Sequence, residues 1–330
     1  MRFMPSLILT RRRLGATVTA AVLAAVLALP AQAEELKKVR FAYLLSDTLL
    51  SVFRAQDQGY FAAEGLDVDL IPVQGGPAVI AALASGEADI GYAAPVPPLN
   101  ARAQGVPVKL FLTLGHEADP DRKYVWLVAS KASGVTALAD VKGKKIAING
   151  NGTGCELAWR DHLAAAGLSY DAAEVVVLPF PQQEAALEQG TIDVGCAIQP
   201  FYASISANPE IGAKVIARGL LADEKEPVIS DSVIGTDAWL AENEDTAKAF
   251  AHAVVKARDE LLANRTLVEE AAVKYLDLTP ELAKTLDYSV LKPEVDVKPG
   301  EVQRILDALV KAGILKTPLA AADVSIDLKL

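Results

Sequence analysis

Short apolar runs alternate with longer amphipathic ones from residue 39 onward. The run 39–45 predicts a buried strand. Ser46, Asp47 and Thr48 follow as N-cap residues, and apolar positions at helical spacing over 49–61 predict a helix, with Gly65 as its stop. Strict alternation over 66–72 predicts a second strand. Gly75, Gly76 and Pro77 then turn the chain into a helix that ends at Ser85 and is stopped by Gly86, and 90–93 forms a third strand. This βαβαβ order predicts a parallel sheet with right-handed crossovers.

The pattern restarts a hundred residues later. Strands are predicted at 145–149, 174–178 and 194–198, with helices at 156–166 and from 180 to a stop at Gly190. Leu83-Ala-Ser-Gly-Glu-Ala-Asp-Ile-Gly-Tyr-Ala recurs as Leu187-Glu-Gln-Gly-Thr-Ile-Asp-Val-Gly-Cys-Ala at a constant offset of 104. Two similar α/β units follow from this repeat. Between them, Pro95 to Pro98 interrupt the chain, 99–105 predicts a helix, and 108–114 and 124–129 predict strands around a polar loop at 116–122. After the second unit come one more helix–strand pair over 204–225 and an extended segment at 228–236. The rest is mostly helical, over 246–264, 268–275 and 301–312. Those helices cannot build a core alone and are expected to pack on the first unit.

Composition adds an export signal. Arg11, Arg12 and Arg13 close a basic region, 14–29 is apolar, and Ala31-Gln-Ala33 is a small-residue cleavage site. The apolar run, about 16 residues, falls short of the ~20 that span a bilayer. Removing 1–33 takes away four arginines and no acid, so the charge falls from −10 to −14. So acidic a chain argues against nucleic acid and anionic membranes as partners. It does not exclude a small anion in a local pocket. The two cysteines, Cys155 and Cys196, admit either a disulfide in an oxidising compartment or two buried thiols.

Ligands of open parallel sheets bind beyond the carboxyl ends of the strands, where loops enter helix N-termini. Those loops carry Ser46, Asp47 and Thr48; Gly75 and Gly76; Pro95 and Val96; Asn151, Gly152, Thr153 and Gly154; and Gln199 and Pro200. The run from Gly150 to Gly154 lacks the third glycine of a dinucleotide fingerprint and the Lys-Ser/Thr of a P-loop. It reads as a cradle for an anionic or polar group, or as a tight turn. Asp89 and Asp193 read as structural members of the repeat rather than a carboxylate pair. His116 in its loop and Asp231 at the return to the first unit are candidate cleft residues. The three histidines show no metal spacing, and no nucleophile sits in a recognisable motif with a base.

Five segments then fall in a familiar order. They are Gly59-Tyr-Phe-Ala-Ala-Glu-Gly-Leu-Asp-Val, Ala82-Leu-Ala-Ser-Gly-Glu-Ala-Asp-Ile-Gly, Gly105-Val-Pro-Val-Lys, Asp140-Val-Lys-Gly-Lys-Lys-Ile-Ala-Ile and Ala185-Ala-Leu-Glu-Gln-Gly-Thr-Ile-Asp-Val. The mature chain resembles bacterial periplasmic substrate-binding proteins of the nitrate/sulfonate/taurine type. The resemblance implies an α/β periplasmic-binding-protein (type II) fold, with two doubly wound lobes, a two-stranded hinge and a helical C-terminal part. Lobe I would hold 34–127 and 231–330, and lobe II 128–230. It also implies a monomer in the periplasm that closes over a small-molecule ligand and delivers it to an ABC permease with an ATPase subunit. No cofactor, metal or catalytic residue is implied.

The expected ligand is a small organic anion. Ile198 stands where taurine-binding relatives tend to carry an aromatic residue, Gln199 where an acid is frequent, and Pro95-Val96 where small hydroxyl residues often help hold a sulfonate. These departures point away from taurine and leave another organic anion, or a heteroaromatic such as a pyrimidine, open. An enzyme of the related pyrimidine-synthesising branch and a sensor subunit are the competing readings.

Overall fold

The computed structural model describes residues 35–117, 124–222, 226–286 and 296–330. The expected export segment lies outside them, as does most of the loop expected at 116–122. Ten strands run in chain order: β1 Lys37–Tyr43, β2 Leu66–Pro72, β3 Ile90–Ala93, β4 Val108–Glu117, β5 Trp126–Ala129, β6 Lys145–Ile148, β7 Glu174–Val177, β8 Val194–Ala197, β9 Lys214–Arg218 and β10 Val228–Thr236. They form two five-stranded sheets, ordered β2-β1-β3-β10-β4 and β7-β6-β8-β5-β9.

The sequence repeat is a structural repeat. β1 pairs in parallel with β2 and β3, and β6 in parallel with β7 and β8. In each sheet an antiparallel fourth strand lies beside the third, β10 against β3 and β5 against β8. The repeated aspartates explain why their motif recurs. Asp89 takes the Arg40 backbone N–H at 2.8 Å on its carboxylate, and Asp193 takes that of Lys145 at 2.8 Å. Each also donates its own N–H to the carbonyl of the same residue, at 2.9 Å in both copies. The helix stop is thereby tied to the unit's first strand. Gly86 and Gly190 make the stops themselves, in left-handed conformation at φ 73° and 69°.

Two local expectations are corrected. The helix expected over 49–61 is broken into Leu50–Asp57 and Tyr60–Ala63, because Gly59 sits between them at φ 67°. Pro95 to Pro98 do not break the chain ahead of the helix expected over 99–105 but begin it, at Val96–Ala103, since prolines lack only N–H groups that a first turn leaves unpaired.

The chain crosses between the sheets twice, from β4 to β5 and from β9 to β10. Trp126 and Leu127 therefore belong to the second sheet and 228–230 to the first, a few residues away from the 127/128 and 230/231 boundaries. The crossings are bonded to each other, Gly219 N–H donating to the Val125 carbonyl at 2.8 Å. Glu117, fully buried at the end of β4, clasps both. One of its oxygens accepts from the N–H groups of Tyr124 and Val125, and the other accepts from Leu220 N–H at 2.7 Å.

The C-terminal helices pack on the first lobe. Glu244–Ala263 lies against Leu50–Asp57, and Phe250 stacks between Phe41 and Phe61, with ring centres 5.3 and 5.0 Å away. The Arg54–Glu260 ion pair at 2.6 Å flanks this contact. The helix Pro299–Lys311 touches both lobes, and its Lys311 reaches Asp161 of the second at 3.3 Å.

Candidate functional site

The carboxyl ends of both sheets meet across a cleft. A cavity of about 450 Å³ lies there, within the range of small-molecule sites. The first lobe contributes Tyr43, Leu44 and Leu45 after β1 and Val73 and Gln74 after β2. The second contributes Phe180, Pro181, Pro200, Phe201 and Ser204, and Leu276 and Asp277 close one side. Phe180 and Phe201 stack at 5.6 Å. At Leu44 and Phe180 the cavity adjoins an inner recess of about 20 Å³, lined also by Gly76, Ala94, Pro97, Tyr124, Asn149, Thr153, Gly154, Cys155 and Ile198. Among the described residues, no lysine, arginine or histidine lines either space, and Asp277 is the charged side chain that does.

The lobes touch beside this recess. A Cβ on Gly152, itself at φ +66°, would collide with the Asn100 side chain of the other lobe, and one on Gly150 would lie 3.5 Å from Pro77. The glycine loop thus permits close approach of the lobes. Its donors are already engaged in part. Thr153 Oγ1 donates to the Gly150 carbonyl at 2.7 Å, and Gly152 N–H donates to Glu156 at 2.7 Å. Cys155 and Cys196 are joined in a disulfide, with Cα atoms 5.9 Å apart, which ties the start of helix Gly154–Ala165 to β8.

Of the residues chosen from sequence, Gly76, Thr153 and Gly154 line the recess and Pro200 lines the main cavity. Asn151 and Gly152 line a shallower groove between the lobes, with Pro77 and Asn100. Gly75 is buried and faces Asn149 across the lobe contact; Pro95 and Val96 are buried at the start of their helix. Gln199 is buried and accepts from Ala203 N–H. His116 departs from its expected loop position. It lies in β4, buried, 2.9 Å from Glu301, and borders neither space.

Ser46, Asp47, Thr48 and Asp231 are brought together, from segments far apart in the chain, but behind the cleft wall. Ser46 and Thr48 hydroxyls lie 3.2 Å apart, and Thr48 lies 2.9 Å from the Tyr92 hydroxyl. Tyr92 donates to Asp231, which also accepts from Ser230 at 3.1 Å. Tyr124 completes the group, 3.3 Å from Tyr92. Burial pushes Asp47 up to about 8, helped by the neighbouring Asp231 charge, and burial likewise pushes Asp231 up to about 7. Both tyrosines are raised well above their ordinary value, burial again being the main cause.

Tyr43 and Tyr124 escaped the sequence reading, and Phe180 and Phe201 lie in strand-end loops, 179–182 and 199–201, that it places at the cleft without choosing these side chains. Tyr43 and Phe180 stand at a strand end and at a helix start, so the rule that selected the polar loop residues applied to them equally.

Two lobes with mixed sheets, joined by paired crossings and with a cavity between their strand ends, define a periplasmic-binding-protein fold. Solved structures share it. The alkanesulfonate-binding protein of Xanthomonas axonopodis bound to MOPS superposes with a TM-score of 0.74 at 18% identity, covering 89% of this chain and 99% of that one. The periplasmic nitrate-binding protein of Synechocystis superposes at 0.72 and 14% identity, covering 88% and 86%. Residues 48–266 match the family described as NMT1/THI5 like, and the chain belongs to that family. A 4-amino-5-hydroxymethyl-2-methylpyrimidine phosphate synthase of Saccharomyces cerevisiae is 27% identical over 249 residues, 72% of this chain and 70% of the yeast protein. The corresponding enzyme of Schizosaccharomyces pombe is 34% identical over 97 residues, 29% of this chain and 27% of that protein.

Proposed function

We propose that this chain is the exported solute-binding component of an ABC import system, and that its ligand is a small planar ring compound held between the lobes. The lining of the cavity carries this reading. The stacked Phe180 and Phe201 rings, Tyr43, prolines and aliphatic side chains surround a space of about 450 Å³ that no cationic side chain lines among the described residues. A flat ring gains apolar burial and stacking in such a space. A sulfonate or nitrate would have to rely on backbone N–H groups and hydroxyls, and in the glycine loop the Thr153 hydroxyl and the Gly152 N–H are already committed. The expectation of a small organic anion thus gives way to its alternative, a heteroaromatic.

Binding rather than catalysis suits the cleft. His116 and His162 are buried on Glu301 and on the Gly219 carbonyl, and His252 is exposed near Glu64. Among the described residues no group of three or more side chains is placed to hold a metal ion. Contacts from both lobes exist only when the cleft is shut, so ligand would shift the population toward the closed form that a permease recognises.

A thermal-shift panel of mature protein tests this. Pyrimidines and other small heteroaromatics should stabilise it, by about 2.7 kcal/mol at a hundredfold excess over Kd. Stabilisation by ethanesulfonate or nitrate alone would reverse the ligand assignment, and turnover of a bound pyrimidine would revive the synthase reading.

A further inference from the structure

The lobes also meet outside the ligand cavity. Asn100, in the helix Val96–Ala103 of the first lobe, lies against Gly152, in the loop that precedes the helix Gly154–Ala165 of the second. The two helices touch as well. Asn100 and Gly152 line neither the cavity nor the recess but the shallower groove beside them. Their contact is made by protein atoms alone.

Each partner is held in place by its own lobe. Gly152 sits at φ +66°, and its N–H donates to Glu156 Oε2 at 2.7 Å. Glu156 Oε1 is paired with Arg160 at 2.8 Å, and the Arg160 guanidinium lies 4.1 Å over the Tyr170 ring. None of these groups belongs to the first lobe, so the shape of the loop does not wait on closure. Across the boundary, Gln104 Nε2 donates to Asn100 Oδ1 at 3.2 Å, and Asn100 Nδ2 is left facing Gly152. Two surfaces ordered in advance meet with little freedom left to lose. The fit has no room for a methyl group. A Cβ on Gly152 would stand 2.2 Å from Asn100 Nδ2 and 3.3 Å from its Cγ. The amide could swing aside only by giving up Gln104.

Resting on the cleft between the lobes as the ligand site, we infer that the Asn100–Gly152 contact is a latch that sets the balance of open and closed protein, with Gln104 and Glu156 as its positioning residues. Glycine is needed at 152 twice over, for the left-handed backbone and for the approach of Asn100. Because the latch lies outside the cavity, it favours closure equally for every ligand. Apparent affinity scales with the fraction of binding-competent protein. The latch therefore tunes affinity by one common factor and leaves selectivity to the cavity.

The test needs no ligand. Ala81 and Gln182 are exposed on the helices that begin at Gly76 and Phe180, one on each side of the cleft. Both native cysteines are held in the disulfide. Nitroxide labels on Ala81→Cys and Gln182→Cys in the mature chain then report the distance between lobes by double electron–electron resonance. Gly152→Ala should raise the ratio of long- to short-distance populations about tenfold, the scale set by overpacking a close contact. Asn100→Ala alone should shift the ratio less, and in the double variant it should cancel most of the Gly152→Ala shift, because the clashing partner is gone. Gly167→Ala controls for backbone strain, being at φ +72° with nothing within 4 Å of the added carbon, and should leave the distances unchanged. Glu156→Ala frees the loop without adding an atom and should also lengthen the distances, which keeps the latch testable if Gly152→Ala folds poorly. A Gly152→Ala or Glu156→Ala distribution that coincides with wild type, or a Gly152→Ala shift undiminished in the double variant, overturns the inference and leaves the ring-binding reading intact. Failure of every ring to bind would remove that reading and leave the latch standing.

Discussion

Replacing Glu117 by alanine should cost more stability than any change at the cleft surface. Its carboxyl oxygens serve three buried backbone donors, the N–H groups of Tyr124, Val125 and Leu220. These belong to both crossings, whereas Glu117 itself ends a strand of the first sheet. A buried donor left without a partner costs about 1–3 kcal/mol. Three such donors set an upper bound of roughly 9 kcal/mol. Water entering the space vacated by the side chain would restore one or two of the bonds, so about 3–5 kcal/mol is expected. Glu117→Gln keeps the shape but turns an amide NH₂ toward one set of donors, and should cost about half as much. Urea denaturation followed by tryptophan fluorescence measures both. Glu117→Ala should also loosen the link between lobes, so the single transition should broaden or split. A Glu117→Ala midpoint within about 0.5 kcal/mol of wild type would refute the clasp, since three orphaned donors cannot be that cheap.

Three further outcomes follow from buried groups. Asp47 and Asp231 carry raised values of about 8 and 7, so the folded protein keeps protons that the unfolded chain, with carboxyls near about 4, releases. Their contribution to stability is complete at low pH and is lost as pH rises toward 7 to 8. Asp47→Asn should therefore stabilise at pH 8 and be neutral at pH 4, and an equal effect at both by thermal melting would contradict the burial argument. The Cys155–Cys196 bridge closes a separation of 41 residues, for which chain entropy suggests about 2–4 kcal/mol; reductant should lower the melting temperature of wild type but not of a Cys155→Ser/Cys196→Ser double variant. Phe250→Ala removes a buried ring stacked on Phe41 and Phe61 and should lose about 3–5 kcal/mol in the same urea assay; a loss under about 1 kcal/mol would mean that the C-terminal helices are held elsewhere.

How much of this was legible in the chain differs from level to level. The two βαβαβ units and their helix stops at Gly86 and Gly190 are local, whereas the structural role of Asp89 and Asp193 rests on contacts with Arg40 and Lys145, far back in the chain, and shows in the sequence only through the repeat. Each rests on hydrophobic period, on turn chemistry, or on a repeat that puts the same contact in both copies. The missed break at Gly59 and the helix begun by Pro97 and Pro98 are also local, but there backbone preference outweighed side-chain periodicity. The site was legible in its address and not in its content. Loops at strand ends border the cleft, and Gly76, Thr153, Gly154 and Pro200 lie there. Residue type does not say which side of the wall a loop residue takes, for Ser46, Asp47, Thr48 and Asp231 form one buried hydrogen-bonded cluster while Tyr43, Tyr124, Phe180 and Phe201 line the cavities.

The sequence by itself determined the class of the fold: two similar α/β units in an acidic chain, with helices after them that need a partner. Tertiary structure alone decided which side of the wall each polar group occupies. Asp47 and Asp231 stand 184 positions apart, and nothing in either segment announces the other. Their shared burial, the unpartnered oxygens of Asp47 and Asn149, and the Glu117 clasp on both crossings arise only when distant strands are set side by side. Hydrophobic period reports which face of an element is covered, whereas the identity of what covers it is a property of the packed sheet.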